Sequence, residues 1–293
     1  MNFGRMLTAM VTPFDENLEV NYDMAAKLAE YLLEQGNDGI VVNGTTGESP
    51  TLNDDEKVQM FRTVKQTVGE RAVVIAGTGS NNTHHSIELT QKAAECGVDG
   101  IMLVVPYYSK PSQEGLYQHF KTVAAATDLP IILYNIPGRC GTNLAPETVV
   151  RLANDVPNIV AIKEASGNLD QIARLKTMCP ADFAIYSGDD SLTLPILSIG
   201  GAGIISVVAH VAGKDLRKMV DAYFAGNVAE AQEINMKLYD IFKTMFITSN
   251  PVPVKYALNR IGINVGGVRL PLFEANDAEK AKIDASLSNL GLL

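Results

Sequence analysis

Asn37-Asp38-Gly39-Ile40-Val41-Val42 and Val98-Asp99-Gly100-Ile101-Met102-Leu103 are one phrase written twice: a polar turn, a glycine, then an apolar run. Gly201-Ala202-Gly203-Ile204-Ile205 repeats the idea in shorter form. A turn that feeds a short apolar run is the entry to a buried strand, and its recurrence marks a repeated supersecondary unit. Working outward, runs of the same kind predict strands at 7–11, 39–43, 73–77, 100–105, 131–135, 159–163, 184–187 and 203–207. Between them lie amphipathic segments such as 22–35, 54–68, 83–96 and 113–126, many ending in Gly or Pro as helix stops require. Eight βα units before about Gly226 match a closed (β/α)8 TIM barrel of the α/β class in count and size. An open doubly wound sheet is the alternative, but no GxGxxG follows the first strand, and evenly spaced strands favour closure. From Asn227 onward helical patterns take over, at 228–246, 252–261 and 277–290. The chain is therefore expected to form a catalytic barrel over 1–226 and a C-terminal helical region over 227–293 packed on it, with no Ser- or Gly-rich linker between.

Bulk properties narrow the function. With 46% hydrophobic and 19% charged residues, 293 residues bury one large core and a modest appendage. A formal charge of -9 and the lack of any Lys or Arg run exclude a nucleic-acid backbone as partner. No stretch of about eighteen apolar residues exists. Met1-Asn2-Phe3-Gly4-Arg5 does not lead into a long apolar segment, so neither a membrane span nor a secretory signal is expected, and the cytoplasm is the expected compartment. Cys96, Cys140 and Cys179 are odd in number and widely spaced, which suits reduced structural thiols. His84, His85, His119 and His210 lack metal-ligand spacing, and no metal is expected.

In such a barrel chemistry sits at the carboxyl ends of the strands. Polar residues collect there: Gly44-Thr45-Thr46-Gly47-Glu48 after the second strand, Pro106-Tyr107-Tyr108 after the fourth, and Tyr134-Asn135-Ile136-Pro137-Gly138-Arg139 at the fifth. Lys163 closes the sixth, Ser187-Gly188-Asp189-Asp190 the seventh, and Ser206 lies on the eighth. An ammonium ending the apolar run Ile159-Val160-Ala161-Ile162 is penalised by burial, which lowers its pKa and frees an amine to form an imine with a ketone. The alternative is a lysine paired with Glu164 or another carboxylate, merely closing the strand. Tyr134, at the neighbouring strand end, is placed to move protons in the same cavity, or else is a core tyrosine whose hydroxyl is satisfied by backbone. Thr45 and Thr46 lie on a turn whose hydroxyls and amides suit a small carboxylate; the alternative is a tight turn leading to the helix capped near Asn53 to Glu56. Arg139 suits a second carboxylate at the mouth, unless it is a surface arginine. Asp190-Ser191 reads as a helix N-cap rather than as half of a carboxylate pair, and Gly200-Gly201 as a turn on the opposite face.

With these residues the sequence resembles the dihydrodipicolinate synthase family, within the N-acetylneuraminate lyase group of class I aldolases. The likeness spans nearly the whole chain and rests on Gly44-Thr45-Thr46-Gly47-Glu48-Ser49, Pro106-Tyr107-Tyr108-Ser109-Lys110-Pro111, Tyr134 to Arg139, and Ile162-Lys163-Glu164-Ala165. The resemblance implies a lyase of the diaminopimelate route of lysine biosynthesis. Pyruvate would join Lys163 as an imine, tautomerise to an enamine and attack L-aspartate 4-semialdehyde, and cyclisation would give 4-hydroxy-tetrahydrodipicolinate. It implies Tyr134, Thr45 and Tyr108 as a proton relay, with Tyr108 arriving from a neighbouring subunit. Thr46 and the backbone of Ile205 would hold the pyruvate carboxylate, and Arg139 the semialdehyde carboxylate. It further implies a homotetramer built from tight dimers, and no cofactor beyond the covalent imine.

The sequence departs from the family pattern at the lysine feedback site of some members, where histidines and a glutamate are expected. Asp54, Lys57 and His85 stand there, although Ser49, Asn81 and Tyr107 match. Without the acidic partner for an ammonium, weak or absent lysine inhibition is expected. Two other readings remain. A lyase for N-acetylneuraminate or a 2-keto-3-deoxy sugar acid shares the imine chemistry, but Arg139 and the second threonine favour the synthase, and rates with each aldehyde separate the two. A silent pyruvate-binding barrel or scaffold is disfavoured because every relay position holds a competent residue.

Overall fold

Short strands that are apolar on both faces need neighbours on both edges and cover on both sides, which a helix-wrapped parallel barrel provides. The computed structural model describes residues 3–293. Within them the strands are β1 Met6–Ala9, β2 Gly39–Val42, β3 Val73–Gly77, β4 Gly100–Val104, β5 Ile131–Asn135, β6 Ile159–Glu164, β7 Ala184–Ser187 and β8 Gly203–Ser206. They pair in parallel in chain order, and β8 closes on β1 through Met6↔Ile204 and Leu7↔Ile205. The barrel anticipated from the repeated phrases is thus present. Several expected strand ends move by a residue or two. Asn43, for example, leaves β2 at φ 57°, a left-handed conformation that ends the ladder and starts the loop.

Alternation along each strand sorts the core into two layers. Leu7, Val41, Ile75, Ile132, Ala161 and Ile205 fill the barrel interior. Their neighbours Met6, Ile40, Val74, Ile131 and Ile162 face the helices outside. The helices alternating with the strands are α1 Tyr22–Glu34, α2 Asp54–Val68, α3 Thr83–Glu95, α4 Gln113–Ala124, α5 Pro137–Cys140, α6 Pro146–Asp155, α7 Leu169–Met178, α8 Thr193–Ser198 and α9 Ala209–Phe224. Side-chain caps from Asn21, Asn53, Asn82, Ser112 and Asn168 start five of them, each worth about 1 kcal/mol.

Beyond α9 come α10 Val228–Thr244, α11 Val252–Arg260 and α12 Asp277–Asn289. α10 packs back on α9, and α11 contacts both α9 and α12. The turn between α10 and α11 carries Asn250 to the loop after β2. Among the described residues no helix is long and apolar enough to cross a membrane.

Candidate active site

Register decides which side chains meet. Tyr134, Lys163 and Tyr186 lie abreast on β5, β6 and β7, two residues beyond the interior pair Ile132↔Ala161, so they share the inward face. Asn135, Glu164 and Ser187 form the next row and face the other way. Glu164 accepts hydrogen bonds from the Asn135 amide (3.2 Å), the Gln171 amide (3.2 Å) and the Ser166 N–H (2.7 Å). The alternative of a Lys163–Glu164 pair therefore fails: alternation sends the two side chains to opposite faces.

Lys163 is 4% exposed, and its Nζ lies 4.4 Å from the centroid of the Tyr134 ring. Burial pushes its ammonium down to about 8; Asp190 opposes the shift and the Arg139 charge adds to it. Burial pushes the Tyr134 phenol up to about 12, tempered by Arg139 and by a side-chain hydrogen bond with Thr45. An amine that sheds its proton readily thus sits against a phenol that holds its own, with a hydroxyl next to the phenol. The stem of Lys163 rests on Gly188, where an added Cβ would lie 3.1 Å from Lys163 Cε.

Above this floor a cavity of about 460 Å³ is lined by Thr45, Tyr134 and Arg139, and it continues past Tyr107 to Ser49, Asn81, Lys57 and His85. Lys163, Thr46 and Ile205 are buried and lie outside that lining. Arg139, on α5, is exposed at the mouth and donates through Nη2 to the Asn250 carbonyl at 3.4 Å. Tyr108 is 89% exposed at φ 72° and is not among the residues lining this cavity, so its own chain does not bring it to the site.

Two features differ from the sequence reading or were missed by it. The cap is Asp189, which accepts from the Ser191 N–H at 2.8 Å, and not Asp190. Asp190 turns inward, accepts from the Ser206 hydroxyl and the Val207 and Val208 N–H groups, and is raised to about 6 by burial. A chain turning sharply after Gly188 exchanges the two orientations. The missed residue is Asn250, whose amide donates to Thr46 Oγ1 at 2.9 Å across 204 positions. Nothing local to Asn250-Pro251 advertises that contact.

A family model described as the dihydrodipicolinate synthetase family matches residues 2–290. The 4-hydroxy-tetrahydrodipicolinate synthase of Desulforamulus reducens is 59% identical over 293 residues, covering 100% of this chain and 99% of its own. A crystal structure of DHDPS from Cyanidioschyzon merolae with lysine bound superposes with a TM-score of 0.98 at 48% identity, over 99% of both chains. The chloride-inhibited dihydrodipicolinate synthase of Acinetobacter baumannii complexed with pyruvate gives 0.96 at 39% identity, over 100% of both.

Proposed function

We infer the function from the fact that this chain belongs to the dihydrodipicolinate synthetase family: it condenses pyruvate with L-aspartate 4-semialdehyde to 4-hydroxy-tetrahydrodipicolinate in lysine biosynthesis. The observation that carries the reading is the buried Lys163 amine, lowered to about 8 and lying on the face of Tyr134. Neutral Nζ adds to C2 of pyruvate, and loss of one water leaves the imine. Removal of a C3 proton gives the enamine, whose C3 bonds to the aldehyde carbon of the second substrate. The amino group of that substrate then takes C2 from Lys163, closing the ring and freeing the enzyme. The imine is itself the electron sink, so the reaction needs no cofactor or metal.

Tyr134 and Thr45 are assigned the proton transfers, because the raised phenol is a donor held next to a hydroxyl that passes protons onward. Thr46 and the Ile205 backbone are assigned the pyruvate carboxylate, and Arg139 the semialdehyde carboxylate at the mouth. Exposed Tyr108 completes the relay in a neighbouring subunit, which makes a homotetramer of tight dimers part of this reading, as is a cytoplasmic location. Sugar-acid substrates would call for neutral hydroxyl-binding groups where Arg139 stands.

The test is borohydride reduction with pyruvate followed by peptide mapping. Label is expected on Lys163, with initial trapping rates rising as pH approaches about 8 and the amine loses its proton. Label on any other lysine overturns the mechanism.

A further inference from the structure

We propose that Asn250 is a positioning residue that biases the Thr46 hydroxyl toward donating to the keto acid's carboxylate. The inference rests on the condensation reading above and adds a residue from outside the barrel strands to it.

An amide NH2 group donates and does not accept. With Asn250 Nδ2 at 2.9 Å, Thr46 Oγ1 is therefore the acceptor in that contact, and its own hydrogen has to be given elsewhere. Among the described residues no group accepts it. A carboxylate accepts only, and a hydrogen bond to a charged acceptor is about twice as strong as a neutral one. A hydroxyl free to rotate would spend part of its time offering a lone pair to the same carboxylate. Donation from Asn250 occupies one of the two lone pairs and keeps the hydrogen out of that direction, which leaves fewer rotamers that offer a lone pair to the carboxylate.

Three observations support this orientation. Asn250 is 5% exposed, and its Oδ1 is buried without a partner. Turning the amide over would strand two N–H donors in that place instead of one oxygen, so donation to Thr46 is the less costly arrangement. The loop cannot drift away from Asn250, because its far end is held by Glu48, whose Oε1 accepts from Lys255 Nζ at 2.8 Å and whose Oε2 accepts from the Arg269 N–H at 3.0 Å. Finally, the Asn250 carbonyl receives Arg139 Nη2, so this residue touches both side chains assigned to substrate carboxylates.

The experiment measures the pyruvate concentration that half-saturates borohydride trapping at Lys163, together with KM for each substrate, in Asn250→Ala, Asn250→Asp and Thr46→Val enzymes. Asn250→Ala is expected to raise the pyruvate value about tenfold, as loss of one oriented hydrogen bond does. The aldehyde KM should move far less, since Arg139 uses the backbone carbonyl. Asn250→Asp should be worse than Ala although it is nearly isosteric, because a carboxylate there accepts the Thr46 hydrogen and repels the substrate. In the Thr46→Val background, Asn250→Ala should add nothing. An Asp variant equal to the parent, or lying between parent and Ala, assigns Asn250 to packing and overturns the proposal. Losses that multiply in the double variant do the same, and they decide the matter if the Asp variant does not fold. These outcomes leave the reaction standing, whereas a parent enzyme not trapped at Lys163 overturns the reaction and this inference together.

Discussion

A Cβ on Gly188 would come within 3.1 Å of both Lys163 Cε and Cγ, and within 2.8 Å of Ala165 Cβ. The amine is thus aimed by the absence of a side chain on the turn just past β7, and a single methyl has to displace either the lysine stem or the turn. Gly188→Ala is expected to lower kcat/KM about 10²-fold while the far-ultraviolet circular dichroism stays that of the parent, since misplacing a reacting group by about an ångström costs that much. A parent-like rate would show that the stem moves aside freely. Lys163 and Tyr134 were legible because a polar residue ending an apolar strand is conspicuous. Asp190 was read as a cap because Asp followed by Ser has the right local chemistry, and only the turn after Gly188 gave the capping role to Asp189 and sent Asp190 inward to Ser206.

Between elements, the loop after β2 is held from the C-terminal region rather than from the barrel alone. Lys255 of α11 and Glu48 form an ion pair whose side chains are almost wholly inaccessible, with Lys255 Nζ 4.0 Å from the Phe14 ring centroid. Removing one member leaves a buried uncompensated charge, so Lys255→Met should cost about 3–5 kcal/mol in urea unfolding, and Glu48→Gln in the same chain should recover part of it. Equal losses in the single and double variants would refute that account. The inner arm of the cavity gives a second prediction. Asp54 is already engaged by His85 Nε2 at 2.9 Å, Lys57 at 3.8 Å and Lys92 at 4.0 Å, leaving no free acid for an incoming ammonium. Activity is therefore expected to show no half-inhibition by lysine below about 1 mM, a weak-binding threshold. Half-inhibition well under that concentration would show that Ser49, Asn81 and Tyr107 suffice. The amphipathic helices and their caps were readable because a cap and its helix are adjacent in sequence. The Glu48–Lys255 pair was not, since its partners are 207 positions apart.

Across the whole molecule, burial sets the response to acid. His119 and His210 are both pushed down to about 4 by burial, and His210 accepts from the Val11 N–H through Nε2 while Nδ1 pairs with the Val207 carbonyl. A histidine whose folded pKa is depressed contributes stability present above its unfolded value near 6.5 and lost as pH falls toward 4. Asp190, raised to about 6, acts oppositely: its contribution is full below about 3.8 and is lost as pH rises through 6. Two histidines outweigh one carboxyl, so unfolding free energy should fall between pH 6.5 and 4. His119→Gln should flatten that slope by up to about 1.4 kcal/mol per pH unit. An unchanged slope in the variant would assign the acid sensitivity to other groups. By itself the sequence determined the eight-stranded closed architecture, the inward lysine and tyrosine, and the family, because strand alternation and strand-end chemistry are written in neighbouring residues. Tertiary structure alone decided that Asn250 reaches Thr46, that Glu48 is neutralised by Lys255, and how far each buried group's proton affinity moves. Those depend on which distant side chains arrive at one point and on how much water they exclude there, quantities set by the packing of the whole chain rather than by any stretch of it.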